Sequence, residues 1–486
     1  MNYLEVLRAA APETALAITV LMVLAVDLIA LRGESVARRF ATGAMVAIVG
    51  CLMAAMLTFT HYGPTDPLHG LLVVDPLTDF LKVVLLILTI FTVMISASSK
   101  FTEHVGEYLA LVLLGTIGLM LLVSAEDLLM IFISLELASL SLYILTAFNK
   151  RNARSGEAAL KYFLFGGMSA AFLLFGFSLL YGLSGSTHLP EIAGALKGRG
   201  LDPLLLVAIV TTVIGFGFKV AAVPFHLWAP DAYEGAPTPS AAFIASGSKV
   251  ASFYILAKIM ALGFAGAEGS AVWHGYVSGW TPVIAVVAAL SMVLGNLTAI
   301  VQSSVKRLLA YSAIAHAGYM LLGVLANTPS SRSALLFYVI TYALTILGAF
   351  GVVTVVEEAT GGDAITNFAG LSSRAPGLSL CLLVFLLSLA GIPPLAGFIG
   401  KFFVFSAVVG ADADHLGLLW LVILAILMSA VSFYYYLQVL KQAYVLDAAE
   451  NAPAIKVPLV TMFALVLLAV LVILLGCAPG LLTQSL

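Results

Sequence analysis

The sequence predicts an all-α, polytopic membrane protein of about 14 transmembrane helices. Three observations lead there. Hydrophobic residues make up 62% of the chain and charged ones only 10%, where soluble domains carry about 25% charged residues. Mean hydropathy is accordingly high, at +1.11. Apolar stretches recur from end to end, each near the ~20 residues that a spanning helix needs. These stretches run solidly apolar instead of alternating, which excludes a membrane β-barrel. The connections are short, so residues 1–486 read as one integral membrane domain without a soluble module.

The spans fall at about 13–31, 40–60, 77–97, 107–123, 127–148, 158–183, 204–228, 239–263, 281–302, 308–327, 333–358, 377–410, 416–446 and 456–476, and are numbered 1 to 14. Span 1 has neither a basic segment ahead of it nor a small-residue cleavage site. It reads as a retained anchor, not a removed signal. Span 2 holds Cys51. It shares no CxxC spacing with Cys381 or Cys477, so no metal or iron–sulfur site is expected. Span 3 carries Lys82 three residues after Asp79, an end pair in which the lysine snorkels. Span 5 places Glu136 about nine residues deep, in FISLELASLSLY. Span 6 opens with Glu157 and Lys161 at i, i+4, either a plain surface pair or part of a proton path.

Span 7 reads as broken. It carries Lys219, then Pro224 and Pro230 around PFHLWAPD, with His226 between the prolines. Proline removes an intrahelical bond and clashes with the preceding turn. Backbone exposed at that depth needs protein or a wet cavity around it. Span 8 places Lys249 about ten residues deep among small residues, ASGSKVASFY, which let a neighbouring helix or water approach. Lys258 lies nine residues further on, about 13 Å along the axis and on the opposite face. It either serves the same path or merely snorkels. Spans 9 to 11 continue the apolar run, with His316 in span 10. Span 12 is too long for one crossing and contains Gly391-Ile392-Pro393-Pro394, a second break, followed by Lys401. The glycines at 391, 397 and 400 are expected to loosen the backbone there. In span 13 the Tyr434–Tyr436 run reads as packing.

An ionisable group at the bilayer centre costs roughly 2.5–3.5 kcal/mol and usually marks an ion or proton path. Glu136, Lys219, Lys249 and Lys401 are the main candidates. A buried glutamate pairs with a cation or takes up protons, and Lys219 is its natural partner. His226 and His316 are the two histidines inside apolar segments. Neutral imidazole passes a proton in either direction, against the plain alternative of a satisfied core histidine. His61, His69, His104, His188, His274 and His415 fall in loops or at helix ends. The two breaks are five helices apart in helices of opposite direction. That predicts an inverted repeat, with spans 4–8 (107–263) matching spans 9–13 (281–446).

One set of loops holds Arg32, Arg38, Arg39, Lys100, Lys150, Arg151, Arg154, Lys306, Arg307, Arg374, Lys441 and Lys456; the other holds Arg8, Lys197, Arg199 and Arg332. The basic set predicts the cytoplasmic side, so both termini face the periplasm. The net charge of −3 says nothing about nucleic acid, but no basic stripe exists to grip it, so no nucleic-acid partner is expected. No P-loop, dinucleotide fingerprint or metal-ligand cluster appears, so no cofactor or metal site is expected in this chain.

The segments FISLELASLSLYIL (132–145), GEAALKYFLFGGMSA (156–170), GFGFKVAAVPFHLWAPDAYEGAPTP (215–239), SSVKRLLAYSAIAHAGYM (303–320) and GIPPLAGFIGKF (391–402) resemble the antiporter-like membrane subunits of respiratory complex I. The related Mrp-type cation/proton antiporters share the pattern and supply the alternative reading. Within the family the fit is closest to the subunit N type. Span 12 carries Lys401 where the subunit M type places a glutamate, and the chain stops after span 14, where subunit L continues into a lateral helix. The resemblance implies a proton-translocating, non-redox subunit of an NADH-quinone oxidoreductase in a bacterial inner membrane. NADH, FMN, iron–sulfur clusters and quinone would be bound by other subunits. Its partners would be the bilayer and other membrane-arm subunits, including the subunit M type and small ones. At the matched positions Glu136 and Lys219 would be the ion pair of one half-channel, Lys249 the central relay and Lys401 the terminal proton site. His226, His316 and Lys161 would be supporting relays. When Glu136 is drawn away, Lys219 loses about 4 kcal/mol of attraction (4 Å, effective ε near 20) and gives its proton to Lys249.

Overall fold

The structure is a computed structural model and describes residues 9–59, 70–411, 416–448 and 452–486. Arg8, His61, His69 and His415 lie outside the described residues. Helices occupy all fourteen expected places. Spans 1 to 6 are Ala11–Ala30, Val36–Thr58, Pro76–Ser96, Val105–Ser124, Leu128–Thr146 and Ala153–Ser184. Spans 8 to 11 are Thr238–Gly263, Trp280–Ile300, Val305–Ala326 and Pro329–Thr360, and spans 13 and 14 are Leu419–Tyr444 and Leu459–Cys477.

Their edges follow from local chemistry. The first turn of a helix leaves backbone N–H groups unpaired, and a short polar side chain accepts them. Ser35, Asp75, Asp127, Asn152, Asp202, Ser304 and Thr328 each do so. Asp75 with Thr78, and Thr328 with Ser331, close reciprocal boxes. Gly185 and Gly361 end spans 6 and 11 in the left-handed region, at φ +76° and +77°.

Two spans are interrupted. Span 7 is the helix Pro203–Lys219, a non-helical passage over 220–227, and the short helix Trp228–Gly235. Pro230 is not part of this break: it sits in the first turn of the short helix, where no N–H is needed. Span 12 is two helices, Pro376–Ala390 and Ala396–Gly410. Gly391 supplies the stop, at φ +87°. Gly397 and Gly400 do not loosen the chain. A Cβ at Gly397 would lie 1.9 Å from the Ser388 carbonyl oxygen, and one at Gly400 2.5 Å from the Tyr338 ring. Both glycines let helices touch.

Span 11 runs through the middle, buried along its whole most apolar stretch, and packs on spans 8, 10, 12 and 14. Spans 1, 2, 6 and 13 turn wide apolar faces outward, as membrane helices do. One packing pattern occurs twice. A Cβ on Gly118 of span 4 would lie 2.5 Å from the Ala138 nitrogen of span 5, and one on Gly295 of span 9 2.6 Å from the Ala315 nitrogen of span 10. The bond from Leu128 N–H to Thr187 O (2.9 Å) has its counterpart from Val305 N–H to Asp363 O (2.9 Å). Leu189 N–H to Glu126 O (3.0 Å) is likewise matched by Ile365 N–H to Ser303 O (2.9 Å). A hydroxyl–carboxylate bond ties each strap: Thr187 to Asp127, Ser304 to Asp363.

Of two lysines outside the centre, one differs from expectation. Lys82 does not snorkel beside Asp79. It is 1% exposed and pairs at 2.9 Å with Glu13 of span 1, itself 5% exposed. Its length lets it bridge between helices, which a pairing rule within one helix cannot anticipate. Lys258 reaches the end of its helix and pairs with Glu126 at 3.1 Å.

Candidate functional site

The site is built where the two interrupted helices leave carbonyl groups without partners. At the span 7 break the helix ends on Lys219, and Ala221 turns left-handed at φ +55°, a conformation an alanine adopts only when its surroundings hold it. Ser291 of span 9 accepts the Val223 N–H at 2.9 Å. Lys219 points to span 5. Its Nζ lies 3.5 Å from Glu136 Oε1, donates to Ser139 Oγ, and stands 5.6 Å from the centre of the Phe218 ring. Glu136 is less enclosed: its side chain is 26% exposed against 7% for Lys219.

Lys249 is 1% exposed and has no carboxylate partner among the described residues. It donates to the carbonyl of Val220, the residue next to Lys219. The break thus holds both lysines, one at its last helical residue and one on its first freed carbonyl.

Span 12 repeats the device. Lys401, on the helix after the break, donates to the carbonyls of Leu389 (3.0 Å) and Ala390 (3.2 Å) at the end of the helix before it. Ser429 of span 13 accepts at 2.8 Å, and the Tyr319 ring lies 5.2 Å away. The negative end of a helix dipole and orphan carbonyls stabilise a cation there. Gly391 makes the approach possible, since a Cβ on it would lie 3.2 Å from Lys401 Cδ and 3.3 Å from Nζ.

His316 is 1% exposed and within Coulomb reach of both Lys249 and Lys401. Its Nδ1 meets the Tyr338 hydroxyl at 2.7 Å and its Nε2 the Tyr436 hydroxyl at 3.3 Å. Tyr436 also bonds Ser312, and Tyr435 donates to Asn296 at 3.1 Å. The tyrosine run of span 13 is therefore not packing alone: Tyr436 extends a polar chain around His316. Ser139, Ser429, Tyr338 and Tyr436 are the polar neighbours that sequence reasoning missed. Their only signal was a hydroxyl inside an apolar run.

The structure does not gather every candidate. His226 lies in the span 7 passage, half-buried, its Nδ1 without a hydrogen-bond partner among the described residues. Lys161 sits apart on the basic face. It pairs with Glu157 at 2.7 Å and with Asp231 at 2.8 Å. Arg307, from the first turn of span 10, bridges Asp231 and Glu234 at 2.8 Å each. The Asp231 carboxylate is thus held between two cations, Lys161 and Arg307. Beside this network Lys306 pairs with Glu357 at 2.8 Å, and Thr238 bonds the same carboxylate. Lys306 and Arg307 thus belong to ion pairs at a helix start and not to a free loop. Among the described residues no group of three or more His, Cys, Asp or Glu is placed to hold a metal ion.

Comparison with known proteins shows the family. Residues 125–432 match the family model described as NADH:quinone oxidoreductase/Mrp antiporter, TM. The chain is 54% identical, over 100% of its length and 99% of the relative's, to NADH-quinone oxidoreductase subunit N 2 of Acidobacterium capsulatum. A chain in the structure of respiratory complex I from Thermus thermophilus superposes with TM-score 0.78 at 34% identity, covering 97% of this chain and 98% of that one. A chain of the Mrp complex from Dietzia superposes with TM-score 0.82 over 99% of this chain and 96% of that one, at 21% identity, a likeness of fold.

Proposed function

This chain belongs to the NADH:quinone oxidoreductase/Mrp antiporter membrane family, and from that premise we propose that it is a proton-translocating membrane subunit of an NADH-quinone oxidoreductase. The observation that carries the mechanism is the pair of buried lysines, Lys249 and Lys401, each held by carbonyls freed at a helix break. A lysine on neutral oxygens is not locked to a fixed counter-charge and can give up and regain a proton. Glu136 and Lys219 form the gate. While the pair is closed, Lys219 keeps its proton; when Glu136 moves or is neutralised, the proton passes toward Lys249. His316, reached by the fields of Lys249 and Lys401, relays between the halves, and Lys401 is the terminal site. Water bridges the gaps too long for a direct bond. Lys161 and its Asp231–Arg307 network serve the basic face, and His226 lines the break.

The two halves, 107–263 and 281–446, form an inverted repeat in this reading. The matched contacts of Gly118 and Gly295, and the matched straps at Asp127 and Ser304, support it. The chain moves protons without redox chemistry of its own. NADH, FMN, iron–sulfur clusters and quinone belong to other subunits, and the partners are membrane-arm subunits of the subunit M type and small ones. We put the chain in a bacterial inner membrane with its basic face in the cytoplasm and both termini outside, on the bias of the basic loops.

Purification of the intact complex through a tag on this chain tests the assignment. The reading expects co-purification of NADH-dependent quinone reduction. Recovery of a complex that exchanges sodium for protons and lacks that activity would move the chain to the Mrp type.

A further inference from the structure

Away from the lysines, a large apolar groove opens at the basic face between spans 2, 3 and 14. Its volume is about 760 Å³. Val36, Ala41, Met45 and Val49 of span 2 form one wall, with Met94 of span 3 and Val460 of span 14 opposite. Met45 is 60% exposed and Val49 50%, so the wall is uncovered in this chain. From Val36 to Val49 the groove follows span 2 for about 20 Å by the helical rise. That is a little more than one leaflet of a hydrocarbon core about 30 Å thick.

The mouth of the groove is polar and cationic. Lys100, Phe101, Thr102 and Glu103 line the groove and also a second pocket of about 270 Å³, whose other side carries Lys150 and Arg151. Three cations and one carboxylate, Glu103, line these two pockets, and Glu357 and Glu358 share a neighbouring pocket with Lys100. Glu103 is taken by Arg151 at 3.1 Å, and His104 turns to Glu107 at 3.3 Å. Glu358 accepts the backbone N–H of Lys100 at 3.2 Å. The ammonium groups of Lys100 and Lys150 have no ion-pair partner among the described residues.

An apolar channel one leaflet deep that opens onto unpaired lysines matches an amphiphile with an anionic head. We propose that this groove is a binding site for an anionic phospholipid, its acyl chain along span 2 and its phosphate between Lys100 and Lys150. The site is separate from the lysine line and does not depend on how protons move. Its position on the basic face fits the attraction of such lipids for lysines at the membrane surface.

The test uses the full-length chain in its purified complex, with a photo-crosslinking residue in place of Met45. The complex is reconstituted in vesicles of phosphatidylcholine, or of phosphatidylcholine with phosphatidylglycerol, each lipid acyl-labelled in turn. Phosphatidylglycerol is expected to crosslink in clear preference to phosphatidylcholine. Lys100→Ala and Lys150→Ala should each lower that preference about fivefold, the loss of one near-surface lysine. Ala41→Trp, at an exposed position in the wall, should lower the yield with both lipids. Equal labelling by the two lipids, or a preference unmoved by both lysine variants, would overturn the anionic site. Crosslinking of position 45 to another protein chain would overturn it too, showing the groove to be a protein interface.

Discussion

Removing either member of the Glu136–Lys219 pair should have unequal consequences. At the observed 3.5 Å the attraction is about 5 kcal/mol with an effective dielectric of 20, and about 1 kcal/mol if water screens it fully. The truth for this pair lies between, because Lys219 is 7% exposed while Glu136 is 26% exposed. Lys219→Met leaves a carboxylate that can reach water or take up a proton, so assembly should survive nearly intact. Glu136→Gln strips the enclosed Lys219 of its counter-charge: keeping the ammonium costs about 3–5 kcal/mol when no water relieves it, and releasing its proton, as the gate does, costs about 5 kcal/mol at neutral pH against an ordinary lysine value near 10.4. The assay is retention of the chain in the complex on native gels after graded heating. Glu136→Gln should fall apart at clearly lower temperature than Lys219→Met, and the double variant should recover much of the loss. Equal losses, or no recovery in the double variant, would refute the claim that this pair is an enclosed charge balanced by one carboxylate.

Two further outcomes follow from the second half. Tyr436→Phe removes one hydroxyl from His316 and from Ser312 at little change in volume; proton pumping in vesicles should drop severalfold while assembly stays within about 1–2 kcal/mol, the worth of a buried hydrogen bond. Gly391→Ala forces a Cβ into a left-handed position and against Lys401, costing about 1–2 kcal/mol in the backbone alone. Its pumping should fall more than its assembly, and unchanged pumping would mean that the approach of Lys401 to the break is incidental.

The helices were legible because their signals are local. Apolar length set each span, and caps such as Asp127 and Ser304 lie within a few residues of the expected edges. The span 12 break was legible for the same reason: Gly391, Pro393 and Pro394 interrupt a helix whatever surrounds it. The partners of the lysines were not legible. Lys401 finds Leu389 and Ala390 through backbone carbonyls, which carry no sequence signal, and Ser429 across another helix. Tyr436 reaches His316 from 120 residues away, so a run of tyrosines in an apolar helix looked like filling. Lys82 was misassigned because Asp79 stands one turn before it, while its partner Glu13 belongs to another span. Glycine is ambiguous in the same way: Gly391 serves a turn, whereas Gly397 and Gly400 serve contact, and only neighbours in space separate the two.

The central claim is that protons cross this chain by way of Lys249, the buried lysine on the freed carbonyl of the span 7 break. The direct measurement is proton uptake per quinone reduced in vesicles holding the intact complex, with Lys249→Met compared with Lys258→Met at matched assembly. Lys258 ends the α-helical part of span 8, is paired with Glu126, and serves as the control. The account predicts a clear loss of proton uptake for Lys249→Met and a ratio near wild type for Lys258→Met. A wild-type ratio in Lys249→Met would contradict it.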